Sequence, residues 1–94
     1  MKVDALLSEL EQVAKGLSIR VSYEPLGGEL GAGGLCKVKG EWRVIVDKRA
    51  TPAERLSVLA QSMARFPVME QQLSPELREL LQRTQGLRAK SGGP

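Results

Sequence analysis

An α+β fold, with an N-terminal helix, a three-stranded antiparallel meander and two C-terminal helices in the order αβββαα, is predicted by three features of the sequence. A leucine-rich stripe of helical period runs from Val3 to Leu17, two stretches of alternating residues flank Gly40, and two helix-start signals follow, at Thr51 and Ser74. With 94 residues, the chain has room for one domain, expected over 1–87, and the polar run 88–94 has little to bury and reads as a disordered tail.

Along the chain, Val3, Leu6, Leu7, Leu10, Val13, Ala14 and Leu17 fall on one helical face, with Asp4, Glu9, Glu11 and Lys15 off it. Gly16 is expected to supply a left-handed cap. Ile19, Val21 and Tyr23 alternate with Arg20, Ser22 and Glu24 in a first strand that Pro25 closes. A glycine-rich connection follows, and its span 27–34 reads as a mobile loop with a ligand-covering flap as the alternative. A kinase-type or dinucleotide-type glycine loop is excluded. The chain has no catalytic-loop His-Arg-Asp and no Asp-Phe-Gly, and a strand rather than a helix follows the glycines.

In the hairpin, Trp42, Val44 and Val46 share one face and Arg43, Ile45 and Asp47 the other, and a type II′ turn is expected at Gly40-Glu41. Cys36 and Val38 alternate with Leu35, Lys37 and Lys39, which is read as turning Cys36 toward the core. Ile45 interrupts the polar face and implies a cover there, for which a helix is the candidate. Thr51-Pro52-Ala53-Glu54 has the form of a capping box with proline at the first helical position. Leu56, Leu59, Ala60, Met63 and Phe66 follow at helical spacing until Pro67. Ser74-Pro75-Glu76 opens the last helix, whose strip is Leu77, Leu80 and Leu81 and whose end is expected at Gly86.

Composition narrows function by exclusion. There is no histidine and only one cysteine, so no zinc site, no other cofactor and no catalytic set is expected. The carboxylates Glu24, Glu29, Glu41 and Asp47 are scattered over strand ends and loops, where no acid/base pair can be read from spacing. A lone cysteine, no signal peptide and no long apolar run give a cytoplasmic, non-membrane expectation. The net charge of +3 permits nucleic acid without indicating it.

The strand and capped link leading into Leu56-Ser57-Val58-Leu59-Ala60-Gln61-Ser62-Met63-Ala64-Arg65 resemble the strand and active-site helix of ImmA/IrrE-type zincin metallopeptidases, whose helix reads Leu-Ala-His-Glu-Leu-Gly-His. In that register Leu59 and Ala60 match, whereas Gln61, Ser62 and Arg65 stand where the family has its two metal histidines and its glutamate base. The resemblance implies a zincin-like framework without its chemistry. The runs Gly34-Leu35-Cys36-Lys37, Lys39-Gly40-Glu41 and Val46 to Pro52 are also similar to a group of small bacterial proteins with no assigned activity.

The resulting expectation is a non-catalytic interaction or regulatory module, acting on a protein partner or on itself as a homodimer. Leu77, Leu80 and Leu81 are the candidate contact, because three amphipathic helices offer more leucine stripe than one small sheet can cover. The alternative is a nucleic-acid-associated regulator using Lys37, Lys39, Arg43, Lys48 and Arg49.

Overall fold

The computed structural model describes residues 2–26 and 33–92. Element order is α1 (Lys2–Gly16), β1 (Arg20–Glu24), β2 (Gly33–Val38), β3 (Glu41–Asp47), α2 (Pro52–Met63), one 3-10 turn (Val68–Glu70) and α3 (Pro75–Gly92). The α+β class and the αβββαα order are those expected. Residues 27–32 of the glycine-rich loop lie outside the described residues, and Gly33 and Gly34 already belong to β2.

The sheet is mixed rather than an antiparallel meander. Its order is β1-β3-β2, with β2 antiparallel and β1 parallel to β3. In this order β3 takes the central position, hydrogen-bonded to β2 along one edge and to β1 along the other. The stretch after Pro25 is long enough to carry the chain from one sheet edge to the other, so β1 and β2 need not pair.

Within the hairpin the turn is type I′. Lys39 has φ 50° and Gly40 φ 83°, so the two central residues are Lys39-Gly40, not Gly40-Glu41. Opposite Ile45 and Val46, Gly33 takes φ 135°, and a Cβ built there would lie 2.0 Å from the Ile45 carbonyl oxygen. Only glycine fits that approach.

Helix ends follow their local chemistry. Ser18, not Gly16, adopts the left-handed conformation (φ 61°) after α1. The Ile19 N–H donates to the Ala14 carbonyl and Ser18 N–H to that of Lys15, a Schellman arrangement. The capping box of α2 forms as expected: Glu54 N–H donates to Thr51 Oγ1 at 3.2 Å, and Thr51 N–H donates to Glu54 Oε1 at 2.8 Å. α3 does not end at Gly86 but continues to Gly92, into the run read as a tail. Gln85 Nε2 ties it to the Ala64 carbonyl at 3.2 Å.

α1 and α2 pack on one face of the sheet, and α3 packs on α1 and α2. Leu10, Leu59, Met63, Leu77, Leu81, Val44, Val46 and Val68 are the largest of the core's fully buried side chains, with Val21, Tyr23 and Leu35 packed partly against them. One long-range polar contact locks this arrangement. The Glu9 carboxylate on α1 accepts from Ser74 N–H and Ser74 Oγ, each at 2.7 Å, while Ser74 Oγ itself accepts from Leu77 N–H. Glu9 thus completes the N-terminal cap of α3 from another helix. Replacing Glu9 with alanine is expected to cost about 1 to 3 kcal/mol, since charge-assisted bonds are lost at a helix start. A urea midpoint unchanged from wild type would refute that role.

Tyr23 donates its hydroxyl proton to the Glu11 carboxylate, and the Arg55 guanidinium lies 5.1 Å over its ring. Arg55 also donates to the carbonyls of Ala50 and Lys48, fixing the link between β3 and α2. Burial, then the bond to Glu11 and its charge, hold the Tyr23 phenol well above its ordinary value, with Arg55 opposing. For an acid held above its unfolded value, the stabilisation is complete below about pH 10 and is lost as pH rises beyond that. Because Tyr23 is the sole tyrosine, phenolate absorbance reads it directly. Its native titration should lag that of the unfolded chain, and coincident curves would contradict the contact.

Candidate functional site

The sheet has two unlike faces. Paired residues share a face, so Val21, Tyr23, Val44, Val46 and Leu35 look toward the helices, and Arg20, Ser22, Glu24, Glu41, Arg43, Ile45, Asp47, Cys36 and Val38 look away, with Glu41 and Val38 forming the row beyond the arginines at the hairpin end. No helix among the described residues packs on this second face, so the helix expected over Ile45 is not found there, and Ile45 is half-buried. The strand register also corrects Cys36. A two-residue turn pairs even-numbered with odd-numbered positions, so Cys36 sits opposite Arg43 and Leu35 opposite Val44. Cys36 is only partly buried, Val38 is 37% exposed, and neither belongs to the core cluster.

The uncovered face is ordered in rows across the strands. Arg20 and Arg43 stand side by side with Cys36 next to them, Ser22 and Ile45 form the next row with Gly34, and Glu24 and Asp47 form the third. Each row is two residues from the next, roughly 6.6 Å along the strands. A band of positive charge and a band of negative charge therefore flank Ile45 symmetrically. The Ser22 hydroxyl donates to Glu24 at 2.9 Å, and Arg49 N–H donates to Asp47 Oδ1 at 3.0 Å, so both carboxylates are held in place. The Arg43 Nε is shielded from water and has no hydrogen-bond partner among the described residues.

The residues singled out from sequence fall elsewhere. Leu77 and Leu81 have 0% exposure, and Leu80, partly buried, packs against the same core, so this strip faces the inside of the chain. The structure places Leu77 and Leu81 in the core rather than on a contact surface because α3, capped by Glu9, is held against α1 and α2. The basic residues do not converge. Lys37 and Lys39 lie at the hairpin tip, Arg43 on the uncovered face, and Lys48 and Arg49 beyond the far end of β3, about 20 Å away along the strand. Trp42 ends the core face rather than lying within it. It is 38% exposed, with Lys37 Nζ 5.1 Å from its ring and Phe66 edge-on at 5.6 Å.

Gln61, Ser62 and Arg65 line a cleft of about 210 Å³ with Gly33, Gly34, Leu35 and Val58, between the start of β2 and α2. Ser62 is 6% exposed, whereas Gln61 and Arg65 face solvent and Gln61 Nε2 donates to Ser57 Oγ. Among the described residues no three His, Cys, Asp or Glu side chains come together as a metal-binding group. A wider groove of about 590 Å³ runs beside β1, where Glu11, Lys15, Arg20 and Glu41 mix both signs of charge.

Sequence reading missed the two charged rows. Their signal was present as a repeated spacing, an arginine followed four residues later by an acid, in Arg20…Glu24 and again in Arg43…Asp47. Only the parallel pairing of β1 with β3 brings the two copies into register. No protein-family model matches the chain, and neither a curated protein nor a solved structure shows significant similarity to it.

Proposed function

We propose that this chain is a small non-catalytic interaction module whose contact surface is the uncovered face of its sheet. The observation that supports it is Ile45, an apolar residue at the centre of a sheet face that no described helix covers, flanked by fixed charges. Apolar centre and charged rim together suit a protein contact. The cleft of Gln61, Ser62 and Arg65 supplies neither metal ligands nor a base, which supports the non-catalytic part of this reading. Elemental analysis of the purified chain should find no stoichiometric zinc, and one tightly bound zinc per chain would overturn the non-catalytic reading.

A photo-crosslinking residue at position 45, introduced in the native cell, should give discrete protein adducts, while the same residue at the exposed position 83 should give background. Equal yields at both positions would sink the proposal.

A second reading rests on the hairpin tip. Trp42, half exposed beneath Lys37 and near Lys39, offers one stacking surface with adjacent positive charge, the elements of a single-stranded nucleic-acid contact. As Trp42 is the only tryptophan, quenching of its fluorescence by an oligonucleotide, weakening with salt by a slope of about 0.7 per phosphate, tests it. No helix among the described residues is long and apolar enough to cross a membrane, and neither reading needs one.

A further inference from the structure

We infer that the occupant of the uncovered sheet face is a second copy of this chain, packed face to face about a two-fold axis that runs across the strands at the level of Ile45. The inference rests on the reading of this face as the contact surface and adds its partner and register. The pattern of charge selects the axis. Rotation about a line across the strands reverses the row order, so the Arg20–Arg43 row of one copy lies over the Glu24–Asp47 row of the other, and the reverse holds by symmetry. Ile45 then meets Ile45, and Ser22 meets Ser22. Rotation about a line along the strands would instead set arginine against arginine and acid against acid, which like-charge repulsion disfavours.

The spacing agrees with this register. The basic and acidic rows lie at equal distances on either side of the Ile45 row, so one placement of the axis aligns both sets of pairs. Stacked sheets pack about 10 Å apart, a gap that an extended arginine and a carboxylate side chain reaching from opposite sides can bridge. The Arg43 guanidinium of one copy then stands over the Asp47 carboxylate of the other. Asp47 and Glu24 are free to accept it, because each already-made bond to Arg49 N–H or Ser22 Oγ leaves further lone pairs open. A face of three short strands is small, which puts the dimer in the weak, salt-sensitive class.

Sedimentation at about 100 μM and low ionic strength, where a micromolar dimer is mostly assembled, tests this with two charge-reversed chains. Arg20→Glu with Arg43→Glu makes both rows acidic, and Glu24→Arg with Asp47→Arg makes both rows basic. Wild type should sediment as a dimer that dissociates as salt is raised. Each reversed chain alone should be monomeric, and a one-to-one mixture should recover a dimer containing one of each. Should either doubly reversed chain lose its circular dichroism, the single pair Arg43→Glu and Asp47→Arg gives the same logic. Reversed chains that dimerise alone, or a mixture that stays monomeric, would overturn the inference. A monomeric wild type whose position 45 still crosslinks to a different protein would overturn the second copy while leaving the contact face standing. A monomeric wild type with no adduct at position 45 would remove both.

Discussion

Leu81→Glu is expected to unfold the chain rather than to release it from a partner. Leu81 has 0% exposure and packs among Leu10, Leu59, Met63 and Leu77. Losing a buried leucine costs about 2 to 5 kcal/mol, and a carboxyl placed there without hydrogen-bond partners adds about 1 to 3 kcal/mol. Small domains hold only about 5 to 15 kcal/mol in total, so the sum takes most or all of it. Helical circular dichroism should collapse and the cooperative melt disappear. Leu80→Glu, at a partly buried position on the same helix, should leave a folded chain with a lowered midpoint. A Leu81→Glu chain that melts cooperatively near the wild-type midpoint would show that α3 is not part of the core.

Gly33→Ala is the second severe change, and its cause is backbone rather than core. At φ 135° an alanine is strained before any contact is considered, and its Cβ would meet the Ile45 carbonyl oxygen at 2.0 Å and the Val46 Cα at 2.9 Å. The conformational cost alone exceeds about 1 kcal/mol, and forcing atoms into a filled space adds typically about 1 to 3 kcal/mol. The clash falls on the ladder between β2 and β3, so β2 should detach at its first residues, raising amide exchange at Leu35 and Val44. Gly34→Ala, where nothing lies within 4 Å of the added carbon, is the matched control. Equal stability of the two variants would contradict the close approach at Gly33.

These two cases mark where sequence reading reached and where it stopped. Elements whose cause is local were legible. The stripe of α1, the capping box at Thr51 and the cap at Ser74 all depend on residues within a turn of one another. Partners distant in the chain were not. Alternation in Val21 and Tyr23 makes a strand but does not say that β1 joins β3 in parallel, and nothing near Ser74 announces that Glu9, 65 residues earlier, completes its cap. The leucines of α3 look alike whether they cover a partner or their own core, and the choice is made by α1 and α2.

For the candidate site the boundary is sharper. The faces of β2 were in principle readable, because any two-residue turn sets Cys36 across from an odd-numbered residue and hence on the side of Ile45. Lys39 carrying a positive φ was harder to foresee, since that conformation is more usual for glycine or asparagine. The rows of Arg20 with Arg43 and Glu24 with Asp47 depend wholly on the β1–β3 register, and no local pattern fixes it.

The central claim is that the helices cover one face of the sheet and leave the other as a contact surface, and Cys36 reads it directly as the only cysteine. The measurement is the rate at which a thiol reagent modifies it in the native chain at low protein concentration, compared with the rate of global unfolding. With Cys36 beside Arg43 and Val38 on the uncovered face, one thiol per chain should react far faster than the chain unfolds, and mild denaturant should not be needed. Modification that proceeds only at the unfolding rate would place Cys36 in the core and contradict the account.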